Sequence, residues 1–156
     1  AKKKEGKGGI VVKGIHDVAV RFSKCCNPVP GDEIVGFVTR GRGISIHRTD
    51  CVNIINFPAN ERARLIEAEW EQEQTNDTYE VEINIFANNR TGLIVDISRM
   101  FTEAEIDVKS MNCRLNKKNV ATISMGFDIH GKEELNRIID KLRKIDGVTD
   151  ITRTAG

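Results

Sequence analysis

Cys25, Cys26, His47 and Cys51 are the residues whose types and spacing could support chemistry. Three thiolates and one imidazole form a ligand set that suits tetrahedral zinc. His47 and Cys51 are four residues apart, so a helical turn would place both on one face, whereas the adjacent Cys25 and Cys26 point apart in regular structure. A turn-forming stretch at residues 27–32 would let the chain kink and bring both thiols to one metal ion. Zinc binding is therefore one hypothesis for this cluster.

Two other interpretations of the same residues stay open. The cysteines could be small buried thiols, sensitive to oxidation. Alternatively, Cys25 or Cys26 could be a nucleophile with His47 as its base. No third orienting residue or oxyanion loop is evident beside them, and a neighbouring thiol would readily oxidise a reactive one. The chain has four cysteines and no export signal, which favours a reducing compartment with free or metal-bound thiols.

A second candidate site is basic. Arg40 and Arg42 alternate with glycines in the stretch 39–43, so the backbone could approach a phosphate while the guanidinium groups bind it. Lys24 and Arg48 could share that surface. Residues 1–70 hold 12 basic and 8 acidic residues, a net charge of +4, whereas residues 71–156 hold 12 and 15, a net charge of −3. A solvated hairpin tip is the alternative interpretation of the arginines.

The third candidate is the loop at residues 88–93. It joins a predicted strand to a predicted helix and has Gly92 at the helix start. Free backbone N–H groups at such a position can hold an anion, for example the carboxylate of an amino acid. Because most loops of this kind bind nothing, the pattern alone is weak.

The chain divides into two modules. Residues 71–77 are polar and without periodicity, so we place a linker there, between a module at residues 10–70 and a domain at residues 78–156. Residues 1–9 have four lysines and three glycines, which predicts a flexible leader. The chain does not begin with Met, as expected of an excised piece. No apolar run is long enough for a membrane span.

The second domain has a regular pattern of six elements. Tyr79, Val81, Ile83 and Ile85 alternate with polar residues, which predicts a strand with one buried face. A helix, two strands, a second helix closed by Gly147 and a final strand follow. A phase change near Ser110 predicts a β-bulge, and residues 116–119 predict a hairpin turn. The order predicts a ferredoxin-like β-α-β-β-α-β fold with both helices on one face of an antiparallel sheet.

The first module is less regular and richer in glycine. We predict strands at residues 10–12, 34–39, 44–46 and 65–70, and helical turns at residues 18–22 and 52–55. A module of about 60 residues has a small core, so an additional cross-link such as a metal is expected. The fold class is therefore α+β, with a small mixed α/β, zinc-finger-like module before the ferredoxin-like domain.

Four stretches of the first module closely resemble the C-terminal region of the long RelA/SpoT-family enzymes, which synthesise and hydrolyse (p)ppGpp in the stringent response. They are Val12 to Ile15, Lys24 to Gly36, Thr39 to Gly43, and His47 to Cys51. Residues 10–70 resemble the zinc-finger or ribosome-intersubunit domain of that family. Residues 78–154 resemble its ACT domain.

The resemblance implies a non-catalytic regulatory fragment of a cytoplasmic GTP pyrophosphokinase. No motif of the family's hydrolase or synthetase domains occurs in the chain. In the family, the region docks to ribosomal RNA when uncharged tRNA occupies the A site, and it restrains the catalytic domains when off the ribosome. The family's metal positions correspond to Cys25, Cys26, His47 and Cys51. The positions expected to contact RNA are Lys24, Arg40, Arg42 and Arg48.

The resemblance also implies a homodimer through the ACT domain and a site for branched-chain amino acids. The corresponding loop residues are Asn89, Arg90, Gly92, Leu93 and Ile94. The loop departs from the common Asp-Arg-Pro-Gly form, because Asn89 replaces the acid and Thr91 the proline. The alternative function is a structural module for dimerisation and autoinhibition that binds no small molecule.

Overall fold

The computed structural model describes residues 10–12, 19–70 and 77–154. The chain forms two compact units, the first ending at Asp77 and the second spanning Thr78–Thr154. The leader predicted at residues 1–9 lies outside the described residues, and so do residues 71–76 of the predicted linker.

The first unit is a five-stranded sheet with short helices. Its elements in chain order are β1 (Ile10–Val12), β2 (Val20–Phe22), β3 (Ile34–Val38), β4 (Ile44–Arg48), α1 (Val52–Ile55), a 3₁₀ helix (Ala59–Arg64) and β5 (Leu65–Trp70). The strand order across the sheet is β1-β5-β3-β4-β2. The pair β2 and β4 is parallel, and the other neighbouring strands are antiparallel.

Two small clusters of apolar side chains stabilise this sheet. One contains the buried residues Ile10, Val12, Ile44, Ile46 and Ala68, against which Phe22 and Trp70 pack. The rings of Phe22 and Trp70 stack with centroids 5.6 Å apart. The other cluster consists of Cys26, Cys51 and Ile54, with Phe57 and Leu65 against it. Cys26 and Cys51 are thus part of the core of this unit.

The helical turn predicted at residues 18–22 is wrong. Val20–Phe22 is a strand that pairs in parallel with residues 44–46 of β4, while Val18 lies outside the described residues. Val and Phe suit a pleated, half-buried surface, and β4 offers them a partner far along the chain. The 3₁₀ helix was not predicted.

The second unit has the predicted order of elements. They are β6 (Tyr79–Asn88), α2 (Leu93–Glu103), β7 (Val108–Leu115), β8 (Val120–Ile129), α3 (Lys132–Arg143) and β9 (Val148–Arg153). The antiparallel sheet has the strand order β9-β6-β8-β7. The ferredoxin-like fold is therefore confirmed.

The predicted alternation of apolar and polar residues along β6 and β8 explains the core of the second unit. Val81 faces Phe127 and Ile83 faces Met125 across the two strands, and all four side chains are buried. The ring of Phe101, on α2, lies 5.0 Å from that of Phe127, so the helix covers this face.

The predicted bulge and hairpin turn are both present. The pairing of β7 with β8 shifts between Val108 and Ser110. Asn116 and Asn119 close the turn, with Asn119 in the left-handed region at a φ of 62°. One detail differs from the prediction: α3 ends at Arg143, with Lys144 as its C-cap, and Gly147 at a φ of 100° lies in the connection to β9.

None of the helices among the described residues has the length and apolar character that a membrane span requires.

Candidate functional site

The adjacent Cys25 and Cys26 lie in a turn directly after β2. The N–H of Asn27 donates to the carbonyl of Ser23, and Asn27 has a φ of 49°. A left-handed residue is disfavoured for most side chains but is tolerated by Asn. The chain therefore reverses immediately after the cysteine pair, so that two neighbouring thiols face one site, as the turn-forming stretch predicted.

The other two members of the cluster come from β4 and the start of α1. His47 is the fourth residue of β4, and Cys51 is the N-cap of α1. The Sγ of Cys25 lies 3.5 Å from both the Nδ1 of His47 and the Sγ of Cys51. The Sγ of Cys26 lies 3.9 Å from the same Nδ1 and 4.0 Å from the Sγ of Cys25. All four donor atoms lie within 4.8 Å of one another.

These separations fit a tetrahedral metal ion. Zn–S bonds of about 2.3 Å at tetrahedral angles require sulfur atoms roughly 3.8 Å apart, close to the observed spacings. Three sulfurs and one nitrogen form a soft ligand set, which favours zinc over magnesium or calcium. Cys26, His47 and Cys51 are buried and Cys25 is half-buried, as expected of a closed structural site.

His47 is oriented by two hydroxyl groups. Its Nε2 lies 2.9 Å from the Oγ of Ser23 and 3.2 Å from the Oγ of Ser45, while its Nδ1 faces the thiols. Hydrogen bonds at the distal ring nitrogen fix the tautomer and orientation of a metal-binding imidazole. Burial lowers the pKa of His47, which favours the neutral ring that a metal needs.

Two of the thiols are in surroundings that disfavour their charged form. Burial raises the pKa of Cys26 to about 12, although the N–H of Arg48, 3.3 Å from its Sγ, opposes the shift. Burial also raises the pKa of Cys51. Without a bound cation, neither thiol is an activated nucleophile, since a nucleophilic cysteine needs a lowered pKa. A bound cation would supply the positive charge that stabilises the thiolate form of both groups.

The tip of the β3–β4 hairpin presents two exposed arginines, Arg40 and Arg42. Thr39 shapes the tip, because its Oγ1 donates to the carbonyl of Gly43 at 2.6 Å and accepts the N–H of Arg42 at 3.1 Å. Gly43 has a φ of 76°, and a Cβ there would lie 2.3 Å from the carbonyl oxygen of Ala19. Glycine is therefore required at this position.

The remaining two basic residues differ sharply in exposure. Lys24 is exposed next to Cys25. The side chain of Arg48 is only 6% exposed, and its guanidinium forms a bidentate ion pair with Asp50 through contacts of 2.9 and 2.6 Å. A third nitrogen donates to the carbonyl of Cys26 at 2.9 Å. These bonds connect the end of β4 to the turn that contains Cys25 and Cys26. Arg48 therefore has a structural role.

In the second unit, the loop between β6 and α2 is held by its own chain. The guanidinium of Arg90 contacts Asp96 at 2.7 Å and donates to the carbonyl of Asp146 at 2.7 Å. The side-chain amide of Asn89 lies 3.3 Å from that of Asn119. Gly92 is the N-cap of α2, with a φ of 83°.

The loop residues predicted to bind an amino acid therefore have different surroundings. The side chain of Leu93 is buried in the core, and Ile94 is 37% exposed. Asn89 and Arg90 are hydrogen-bonded within the unit. The five positions lie in one loop and the first turn of α2, but the charged member is already paired.

Several residues that position these sites were not predicted. Ser45 lies two residues before His47 on one strand, so the period of two places both on the same face, and this signal could have been used. Ser23, Asp50 and Asp96 have no such signal, because their contacts depend on turns and on the approach of separate elements.

Comparison with known proteins agrees with this division into two units. Residues 10–71 match the model of the RelA/SpoT RIS domain, and residues 75–153 match that of the ACT domain. Both are regulatory modules and neither is a catalytic domain. The chain belongs to the ACT domain family and carries, before that domain, a RIS domain of the RelA/SpoT family.

The chain is similar to several GTP pyrophosphokinases. It is 37% identical over 145 residues to the GTP pyrophosphokinase of Streptomyces coelicolor, which covers 93% of this chain and 17% of that protein. It is 35% identical over 153 residues to that of Haemophilus influenzae, which covers 97% of this chain and 20% of that protein. The chain thus spans at most about a fifth of the length of these relatives.

A crystal structure of the ACT domain from the GTP pyrophosphokinase of Chlorobium tepidum is also similar, with 19% identity and a TM-score of 0.45. The similarity covers 49% of this chain and 99% of that one.

Proposed function

We propose that this chain is a regulatory part of a cytoplasmic stringent-response GTP pyrophosphokinase that synthesises or hydrolyses (p)ppGpp. Its first unit holds zinc and docks to ribosomal RNA near the A-site tRNA. Its second unit pairs with a second copy and senses an amino acid, and together the units control the catalytic domains of the whole protein. The observation that carries the proposal is the convergence of four donor atoms within 4.8 Å of one another in a unit that also presents an arginine hairpin.

Zinc is proposed as a structural ion. Cys25, Cys26, His47 and Cys51 would hold it with no position left for a substrate, as in closed structural sites. The ion would join the cysteine turn, β4 and α1, three segments that a small core stabilises only weakly.

The RNA contact is proposed at Arg40 and Arg42 on the hairpin tip, and at the exposed Lys24, which follows β2 at the other end of the parallel β2–β4 pair. Guanidinium groups on a hairpin tip can reach phosphate oxygens without the unit having to unfold. Because the guanidinium of Arg48 is paired with Asp50, we assign Arg48 to supporting the cysteine turn instead.

Co-sedimentation with ribosomes at moderate salt, with and without deacylated tRNA, tests this role. Arg40→Glu with Arg42→Glu should abolish pelleting, because binding to a phosphate backbone depends strongly on charge. Arg137→Glu with Arg143→Glu is the matched control, since both arginines are exposed on α3 of the second unit. Equal loss of pelleting in both double variants, or in neither, contradicts a specific role of the hairpin.

Pairing of two copies is proposed at β7, one of the two edge strands of the second sheet. Met111 and Leu115 pair with the buried Met125 and Ala121, yet they are 39% and 54% exposed. A second copy could cover this apolar edge. Leu115→Glu should shift the mass measured by light scattering toward a monomer, whereas Asn112→Glu, on the opposite face of the strand, should perturb it less.

Amino-acid sensing and a purely structural role remain distinct candidates for the second unit. The backbone N–H groups at the start of α2 favour a carboxylate ligand, while the ion pair of Arg90 with Asp96 favours a loop that binds nothing. Calorimetry with valine, isoleucine and leucine separates them. Saturable heat supports sensing, and its absence supports the structural module.

A further inference from the structure

We propose that Cys25 and Cys51 form a peroxide-sensitive modification site, in which their oxidation to a disulfide releases the metal. This inference rests on the proposed zinc site and adds a chemical input to it. The two sulfur atoms lie 3.5 Å apart, nearer to each other than the sulfurs of Cys25 and Cys26 at 4.0 Å. The approach to a bond of about 2.05 Å is therefore shorter for this pair than for the two adjacent cysteines.

Accessibility selects Cys25 as the sulfur that meets the oxidant. Cys26 and Cys51 are 0% exposed, whereas Cys25 is half-buried. The exposed Lys24 is its neighbour in the chain, so a small peroxide can approach from the solvent side of the turn. Metal binding would keep Cys25 as a thiolate, the form that reacts with peroxides.

Geometry selects Cys51 as the second sulfur. Adjacent residues joined by a trans peptide have Cα atoms about 3.8 Å apart, shorter than the roughly 4.4–6.8 Å of ordinary disulfides. A bond between Cys25 and Cys26 would therefore be strained. Cys26 is also held by the N–H of Arg48, 3.3 Å from its sulfur. Cys51 lies on a separate segment, where small movements of the turn suffice.

The reaction balances with hydrogen peroxide as the oxidant. The thiolate of Cys25 attacks the O–O bond, forms a sulfenic acid and releases hydroxide, which is protonated to water. The thiolate of Cys51 then attacks that sulfur and displaces a second hydroxide, which becomes the second water. Two thiolates, one peroxide and two protons thus give one disulfide and two waters, and the peroxide takes both electrons.

Loss of the metal follows from the loss of ligands. A disulfide removes two of the four donors, leaving only Cys26 and His47. A structural zinc site needs four ligands, so the ion would dissociate. The metal normally joins these segments, so oxidation would loosen the first unit and leave the second unit unchanged. A thiol reductant with added zinc would restore the original state.

Treatment of the zinc-loaded protein with hydrogen peroxide tests the inference. A chromogenic zinc indicator measures release, and peptide mapping by mass spectrometry identifies the disulfide. We expect one zinc released for each disulfide, a cross-link between the peptides of Cys25 and Cys51, and reversal by dithiothreitol with zinc. Cross-linking of Cys25 to Cys26, zinc retention despite oxidation, or release without any disulfide would overturn it.

Variants separate this chemistry from unspecific oxidation. Cys113→Ser removes the exposed cysteine of the second unit and should leave release and mapping unchanged. In Cys51→Ser, the sulfenic acid of Cys25 should persist and be trapped by dimedone, even if zinc binding is weakened. Dimedone labelling mainly at Cys26 would contradict the assignment.

Failure of the zinc proposal gives a different result. An untreated protein that contains no zinc but still forms the Cys25–Cys51 bond would refute the metal and retain the modification site. A zinc-containing protein that forms a different disulfide would support the metal site and refute the Cys25–Cys51 modification site.

Discussion

The cysteine–histidine cluster of the first unit and the β6–α2 loop of the second unit differ in how their polar groups are satisfied. In the cluster, four donor atoms face one another, and the nearby hydroxyl and N–H groups only orient them. In the loop, the guanidinium of Arg90 is neutralised by Asp96 and bonded to Asp146. The cluster therefore offers four ligand atoms to a cation, whereas the loop has already supplied its own charge partner.

This difference indicates which site depends on an added ligand. Burying thiols around an imidazole without a metal is unfavourable for their charged forms, as the raised pKa of Cys26 shows. In the loop, a ligand carboxylate would have to bind the backbone N–H groups at the start of α2, because the guanidinium of Arg90 is already paired with Asp96.

Removal of zinc should have the largest effect. If free zinc is 1,000 times its Kd, binding stabilises the folded chain by about 4 kcal/mol. A chelator should then lower the Tm of the first unit by roughly 15 °C or more. Scanning calorimetry checks this, with metal analysis of protein purified without chelator. An unchanged Tm would mean that the cluster is not a metal site.

Arg48→Lys should have the next largest effect. Lysine keeps the charge but loses the bidentate contact with Asp50 and the bond to the carbonyl of Cys26. We expect a loss of about 2 kcal/mol in denaturant unfolding. Arg42→Lys, at the exposed hairpin tip, is the control and should change stability little. Equal stability of both variants would argue against a structural role for Arg48.

Replacement of the two serines should weaken zinc binding without abolishing it. Ser23→Ala with Ser45→Ala removes both hydroxyl partners of the Nε2 of His47. Loss of such outer partners typically lowers metal affinity by about 10- to 100-fold. Competition with a zinc chelator measures the change. Ser110→Ala, in the second unit, should leave the affinity unaltered; a similar decrease there would indicate an unspecific effect.

Arg90→Gln should have the smallest effect on stability and should leave zinc affinity unchanged. It removes the ion pair with Asp96, whose two side chains are 28% and 36% exposed, so we expect a loss of about 1 kcal/mol. Arg99→Gln is the matched control, because its contact with Asp96 is longer, at 3.4 Å. A larger loss for Arg99→Gln would contradict the role given to Arg90.

Sequence patterns were most informative where a period was long. The ten-residue strands β6 and β8 alternate over their whole length, and α2 has a continuous apolar stripe, so the second fold could be predicted from them. The three-residue strand β2 was mistaken for a helical turn, because its pairing with β4 is parallel and distant in sequence.

The candidate sites, too, could be predicted only in part from the sequence. Residue types and family resemblance pointed to the four members of the cluster, but not to the Nδ1 of His47 as the atom that faces the thiols. The sequence predicted that Arg48 shares the surface of Arg40 and Arg42, because the charge of a residue does not reveal whether it is buried. Its partners, Asp50 and the carbonyl of Cys26, become neighbours only when β4 and the cysteine turn meet.

Residue order alone was enough to predict the ferredoxin-like fold and to identify the thiol and imidazole groups, because these depend on local periodicity and side-chain chemistry. Tertiary structure decided which polar groups are free and which are already paired. Burial, hydrogen bonding and charge pairing act between residues that are far apart in the chain. Only the folded protein therefore distinguishes the four converging ligand atoms of the cluster from the neutralised arginine of the loop.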